Sequence, residues 1–232
     1  MKILLKLKAF SILINFLSTV FILILFMKLF PKSNSKARII WSKFQVWFMG
    51  IKINKISQID ESADVLFINH QSLLDIPIIE SVQNRNTAWV AKKEIADIFF
   101  YGHILKVPKM IILDRSKPKL ALKTLLAEGK KAVDDKRVIC IFPEGTRGEG
   151  DEVGEFKIGA KFLAAKHNLK VQPIVLTNTI RIIDSKKFEA RRGSVTMKFL
   201  DSFYPKDLGE DWYEQVNTQM KNEYKNMMKE EV

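Results

Sequence analysis

Cysteine is nearly missing from this chain of 232 residues: Cys140 stands alone. A single thiol excludes an internal disulfide and any Cys-based zinc site, and it fits a reducing compartment. Histidine is also scarce, at three, and His103 and His167 sit in no motif. Acid is in deficit, with 26 Asp and Glu against 38 Lys and Arg, which leaves a net charge of +12. A surplus of that size calls for a partner of opposite sign, and the ordinary candidates are nucleic acid and an anionic membrane surface. The chain has no internal repeat, no low-complexity linker and no G-x-x-x-x-G-K-[ST] phosphate loop. Its length suits one domain plus an appendage, enough to bury a full core without a staple.

What is present decides between the two partners. Lys2, Lys6 and Lys8 precede an uncharged run from Ala9 to Met27, and Lys28, Lys32, Lys36 and Arg38 follow it. As a helix the 19 residues of that run span about 28 Å, close to the hydrocarbon thickness of about 30 Å. A secretory signal would have a shorter apolar core and a small-residue cleavage site after it. A single span would place its flanks on opposite sides, but both flanks are basic, so the positive-inside rule selects no orientation. A helix entering one leaflet, or a hairpin with the next segment, suits both flanks better. In that next segment, Ile39 to Ile51, Trp41, Phe44, Trp47 and Phe48 recur at helical spacing. Such aromatics fit either the headgroup boundary or a globular core. Residues 1–50 therefore read as a membrane-associated pair of helices, and the positive charge is assigned to an anionic membrane surface, not to nucleic acid.

Residues 51–232 change pattern to short apolar runs alternating with amphipathic stretches. Strands are expected at Ile51–Ile56, Val65–Asn69, Thr87–Ala91, Met110–Leu113, Val138–Phe142, Val171–Leu176 and Ser194–Leu200. Helices are expected at Asp75–Val82, Lys92–Lys106, Pro118–Asp134, Lys157–His167 and Asp211–Lys229. This alternation predicts an α/β domain, a mixed and mostly parallel sheet flanked by helices. In such sheets ligand-binding residues gather where strands end.

Four successive strand ends carry chemistry. The run VLFIN delivers Asn69-His70-Gln71-Ser72-Leu73-Leu74-Asp75. Residues five apart on one helix would diverge by roughly 140°, so His70 and Asp75 face each other only across a turn. A carboxylate on one imidazole nitrogen fixes the tautomer and leaves the other nitrogen as a base. The same residues also score as a capping box, in which Asp75 merely caps a helix. The strand Val138–Ile141 delivers Phe142-Pro143-Glu144-Gly145-Thr146-Arg147, a tight loop with a planar donor fork suited to phosphate, or else a solvated surface turn. Arg115 ends Ile111–Leu113-Asp114, and Lys92 and Lys93 follow Ala91. Each is bland alone; the repetition is not. Cys140, inside an apolar strand, reads as core.

NHQSLLD and FPEGTR resemble the N-H-x-x-x-x-D and F-P-E-G-T-R signatures of the glycerolipid acyltransferases, and most closely those of the bacterial 1-acyl-sn-glycerol-3-phosphate acyltransferases. IILDR (Ile111–Arg115) and VQPIVL (Val171–Leu176) resemble further blocks of that family, and order and spacing agree from about Ile53 to Leu200. Two departures are Pro108-Lys109-Met110, where the family often has a Gly, and Gly148, where it often has Ser. The resemblance implies His70 as general base on a lysolipid hydroxyl, with Asp75 orienting it. It also implies that Glu144, Gly145, Thr146, Arg147, Arg115 and Lys93 hold the acceptor. The expected reaction needs no metal or cofactor, the co-substrate being an acyl carrier protein or coenzyme A thioester. The acceptor would be lysophosphatidic acid at the cytoplasmic face of the inner membrane. Rival readings are another lysolipid acceptor, such as a lyso-ornithine lipid or a lysophosphatidylcholine-type headgroup, a hydrolase, or a non-catalytic membrane-surface lipid-binding protein.

Overall fold

The apolar runs form the centre of a seven-stranded sheet. The computed structural model describes residues 2–150 and 152–230. In chain order the elements are α1 (Lys2–Leu29), α2 (Asn34–Met49), β1 (Ile51–Ile56), β2 (Val65–Ile68), α3 (Asp75–Val82), β3 (Thr87–Lys92), α4 (Lys93–Ala96), α5 (His103–Lys106) and β4 (Ile111–Leu113). They continue as α6 (Pro118–Asp134), β5 (Val138–Ile141), α7 (Ile158–Lys166), β6 (Val171–Leu176), α8 (Thr179–Ile182), β7 (Ile183–Asp184), β8 (Glu189–Ala190), β9 (Gly193–Phe199) and α9 (Trp212–Glu230).

The strand order is β1-β9-β6-β2-β5-β3-β4. From β6 to β4 every pairing is parallel, whereas β9 runs antiparallel to β6 and takes β1 parallel to itself. The expected mixed, mostly parallel α/β sheet is thus present. Its strands β2 and β5 are apolar throughout because both faces are covered. Val65, Phe67, Ile139 and Ile141 point into a core completed by Leu125 of α6, Leu163 of α7, and Trp212, Val216 and Met220 of α9. Leu66, Ile68, Val138 and Cys140 point the other way, onto Ile78 and Ile79 of α3, Met49 of α2, and Ala9 and Ile12 of α1. Burial pushes the Cys140 thiol up, out of the reactive range.

The N-terminal pair is longer than the apolar run suggested. α1 extends over 28 residues, about 42 Å, and a turn at Pro31–Ser33 folds α2 back against it. Gly50 ends α2 in the left-handed region (φ +69°), and its N–H closes onto Trp47 and Val46 carbonyls. Trp41 points inward, with its Nε1 donating to Thr19 Oγ1 (3.0 Å) and its ring packed edge-on against Phe16. Trp47 points out, 73% exposed. The core reading therefore holds for Trp41, while Trp47 stands on the surface.

Two expectations need correction, and one segment gains structure. Arg38 does not belong to a basic membrane flank: it is buried and its guanidinium pairs with Glu80 of α3, Thr87 and Asn86. Lys92–Lys106 is not one helix but the two short turns α4 and α5. The cause is local: Gly102 lies so close to Ala96 that a Cβ there would sit 2.0 Å from the Ala96 carbonyl oxygen. The segment from Thr179 to Ala190, without an assigned element in the sequence, forms α8 and the small β7–β8 ladder.

Candidate active site

All five parallel strands point their C-terminal ends to one edge of the sheet. This edge gathers His70 after β2, Lys93 after β3, Arg115 after β4 and the loop 142–148 after β5. The Asn69 amide locks the floor, donating to the Leu176 carbonyl (2.9 Å) and accepting from the Leu176 N–H (2.7 Å), so the ends of β2 and β6 cannot slide.

His70 faces Asp75 across the turn that starts α3. Its Nδ1 lies 2.8 Å from Asp75 Oδ2, and Asp75 is fully buried. The same oxygen accepts the N–H groups of Gln71 (2.8 Å) and Ser72 (2.9 Å). Asp75 therefore braces the turn before α3 and holds the imidazole; it does not cap the helix, which starts at Asp75 after Leu74 with no side-chain cap bond. The ring lies flat on Phe142, centroids 3.8 Å apart at 11°, and Phe142 in turn abuts Trp89 (5.4 Å). Carboxylate and aromatic shelf fix the ring in two directions. His70 Nε2 is left with no protein partner among the described residues, and the side chain stays 15% exposed.

Glu144 does something the motif alone does not reveal. It is buried, its Oε1 accepting the His70 N–H (2.6 Å) and its Oε2 the Gly154 N–H (2.7 Å). With both oxygens given to the backbone, it ties the histidine turn to the far end of the loop. Gly148 closes the tie from the other side, its N–H donating to the His70 carbonyl (2.8 Å). A Cβ at Gly148 would meet Gln71 Oε1 at 2.8 Å, so Gln71 occupies the room that a serine there would need. Gln71 itself donates to the Glu152 carbonyl (2.9 Å).

Burial, against the pull of its two N–H bonds, raises the Glu144 carboxyl from 4.5 to about 7. The folded state thus holds a proton that the unfolded chain releases between those values. The associated stability is full below about pH 4.5 and is lost as pH rises to about 7, a change of about 3 kcal/mol. Glu144→Gln should flatten that slope in thermal melts run from pH 4.5 to 7.5 in detergent; an unchanged slope would locate the titration elsewhere.

The loop is shaped by Gly145 (φ +75°), whose N–H returns to the Phe142 carbonyl (3.0 Å). The Arg115 guanidinium donates to the Gly145 carbonyl, bringing β4's end onto β5's loop. The N–H groups of Glu144, Thr146 and Arg147 donate to no protein acceptor among the described residues. Thr146 and Arg147 are exposed, and no acid among those residues pairs with Arg147. Lys93 is half-exposed and shared between Asp114 (3.6 Å) and Asp97 (3.9 Å). The geometry thus joins His70, Asp75, Glu144, Gly145 and Arg115 directly, with Thr146 and Arg147 on the same loop and Lys93 linked only through Asp114. Sequence reasoning gave no separate role to Asn69, Gln71 and Phe142, which stand inside the two motifs, and passed over Trp89, which lies in β3 with no motif around it. It also passed over α8 and β7, which flank the site where Ser72 Oγ reaches the Ile183 carbonyl (3.4 Å). Among the described residues no group of three or more His, Cys, Asp or Glu converges to hold a metal ion.

A His–carboxylate pair and an arginine-bearing loop on neighbouring strand ends of a parallel α/β sheet can perform acid–base chemistry on a ligand that carries negative charge. The chain belongs to the acyltransferase family, whose family model, described as "Acyltransferase", matches residues 50–177. It is 40% identical over 198 residues to a 1-acyl-sn-glycerol-3-phosphate acyltransferase of Helicobacter pylori, covering 84% of this chain and 83% of that one. A protein of the same name from Pseudomonas aeruginosa is 31% identical over 140 residues, covering 58% of this chain and about half, 54%, of the relative. In fold it is similar to the crystal structure of the 1-acyl-sn-glycerophosphate (LPA) acyltransferase PlsC from Thermotoga maritima. That match has a TM-score of 0.77 at 21% identity, and covers 98% of this chain and 96% of that one.

Proposed function

We propose that this acyltransferase moves a fatty acyl group from an acyl carrier protein or coenzyme A thioester to the sn-2 hydroxyl of 1-acylglycerol 3-phosphate, forming phosphatidic acid. The observation that carries the reading is His70, braced by Asp75 and Phe142, beside a loop whose amides and Arg147 have no protein partner among the described residues. The names of the relatives point to the same acceptor.

In this scheme His70 Nε2 takes the proton of the acceptor hydroxyl as its oxygen attacks the thioester carbonyl. Asp75 stabilises the imidazolium that forms. The tetrahedral oxyanion is met by loop amides such as those of Thr146 and Arg147, the role for which preorganised N–H groups are most effective. Collapse expels the thiolate, which recovers the proton from His70. The hydroxyl of the acceptor is itself the nucleophile, so no acyl-enzyme and no cofactor is required, and buried Cys140 takes no part. Glu144 holds the loops, and Arg147 with Arg115 meets the acceptor phosphate.

A lysolipid resides in a bilayer while its thioester donor arrives from water, so the site belongs at the interface. α1 is long and apolar enough to cross a membrane, and 28% of its most apolar window is buried. It packs on the domain at both ends: Ala9 and Ile12 join the core beneath the sheet, while Val20, Leu23, Ile24 and Met27 pack on α2 and on residues 100–107. A helix held along one side by the domain enters one leaflet instead of spanning, with Leu7, Phe10, Ile14, Ile22 and Leu25 on its free side. The cytoplasmic leaflet of the inner membrane, where the donors are, is the proposed location.

The test is a panel of acceptors in mixed micelles. Lysophosphatidic acid should be acylated, and monoacylglycerol, lysophosphatidylcholine and a lyso-ornithine lipid should not. Arg147→Ala should raise KM for lysophosphatidic acid by about 10- to 100-fold, the worth of a lost charged hydrogen bond, with a smaller change in kcat. Preference for an acceptor without a terminal phosphate would keep the chemistry and replace the substrate.

A further inference from the structure

We propose that the turn from Ile95 to Phe99 is a second membrane-insertion element, a wedge that enters the bilayer beside α1 and brings the active-site edge down to the headgroups. The proposal rests on the membrane-bound reading above and goes beyond it, because it concerns a part of the α/β domain far in sequence from the N-terminal helices.

Three apolar side chains face outward there at helical spacing: Ile95 at 47%, Ile98 at 52% and Phe99 at 94% exposed. Scattered exposed apolar residues are ordinary, but a bare phenylalanine flanked by two half-bare isoleucines is a patch. The patch is also held in place. Phe100 adopts a left-handed backbone (φ +56°), a strained conformation for a phenylalanine, and Gly102 presses on the Ala96 carbonyl. What holds the turn is α1. Phe100 stacks on Phe21 (centroids 4.5 Å), Lys28 Nζ lies 5.5 Å over the same ring, and Tyr101 Oη donates to the Leu17 carbonyl (3.4 Å). The wedge therefore sits directly against the helix whose free side carries Ile22 and Leu25, and its apolar surface continues that one.

Charge agrees with a lipid occupant. Between Lys92 and Lys109 there are four lysines and two acids, and Glu94 and Asp97 are each matched by a lysine (Lys92 at 3.2 Å, Lys93 at 3.9 Å). An anionic surface meets a local positive excess and no unpaired acid. The location matters for the reaction. α4 starts where β3 ends, and Lys93 reaches Asp114, the residue before Arg115. An inserted wedge would set Arg115 and its loop at headgroup depth, within reach of a phosphate whose acyl chain never leaves the bilayer.

Cys140 is fully buried, so Phe99→Cys adds one reactive thiol for an environment-sensitive fluorophore. The full-length protein, labelled there or at a Lys130→Cys control on α6, is mixed with vesicles of phosphatidylethanolamine and phosphatidylglycerol carrying nitroxide-labelled acyl chains. The label at 99 should shift to the blue and be quenched, and the label at 130 should do neither. In unlabelled protein, Ile98→Ser with Phe99→Ser should weaken vesicle affinity by about 10-fold or more, leaving the melting temperature unchanged because both side chains are exposed. Co-sedimentation with vesicles while label 99 stays aqueous would overturn the wedge and leave the membrane reading standing. Failure to sediment at all would remove both. A blue shift on adding acyl carrier protein without vesicles would make the patch a protein dock instead, and the proposal would fall.

Discussion

His70→Ala is expected to lower kcat for acyl transfer by about 10³- to 10⁴-fold with little change in KM for either substrate, since a general base acts in the transition state and not in binding. The alanine leaves Phe142 without its stacked partner and Asp75 Oδ2 with only the N–H groups of Gln71 and Ser72. Asp75 then keeps two backbone donors on Oδ2 while its buried Oδ1 has none, so a melting curve run beside wild type separates lost chemistry from lost structure. Phosphatidic acid formed at an undiminished rate by the variant would show that the base lies elsewhere. The non-catalytic lipid-binding alternative makes the opposite forecast, with no function changed by this substitution.

The second large effect is on stability. Arg38→Met should destabilise the protein by about 3–5 kcal/mol, the usual result of leaving one member of a buried ion pair alone. Its partner Glu80 is almost fully buried, and its Oε1 would keep only Thr87 and Trp89 as donors. Arg38→Met combined with Glu80→Leu should recover much of the loss, because the orphaned charge is then gone as well. Thermal melts of the two singles and the double in detergent decide this: a double variant whose loss equals the sum of the two single losses would show that each side chain acts on its own. The pair also bears on catalysis. Trp89, held by Glu80 (2.8 Å), supports Phe142, on which His70 lies, so the Arg38 variant should show a loosened histidine even where it remains folded.

Much of the fold was legible because it is written locally. Val65–Ile68 and Val138–Ile141 are short and apolar on both faces, as a covered parallel sheet requires, Val171–Leu176 departs only at Gln172, and each stands as a strand. The His70–Asp75 pairing was legible for the same reason: five residues and one turn separate the groups. What escaped depends on contacts distant in sequence. Arg38 reads as one more cation after an apolar run, and only the arrival of Glu80, 42 residues on, makes it a core residue. Glu144 sits in a signature that suggests contact with substrate, but its partners are backbone groups 74 and 10 residues away. The break in Lys92–Lys106 follows from a close approach at Gly102, which composition does not announce. Thr179–Ala190 has no periodicity because its pairing is only two residues deep.

The packing of α1 has a consequence for how the chain is made. Ala9 and Ile12 are completed by Met49 and Ile51, but also by Ile182 and Ala190, which leave the ribosome some 180 residues later at the usual pace of synthesis. For most of that interval the first helix has no protein surface to settle on, and a bilayer is the natural place to keep so apolar a segment. The membrane would then act first as a waiting room for α1 and only afterwards as the source of substrate. The catalytic sheet would assemble onto a helix already in the lipid, so that folding and delivery to the site of work are a single event.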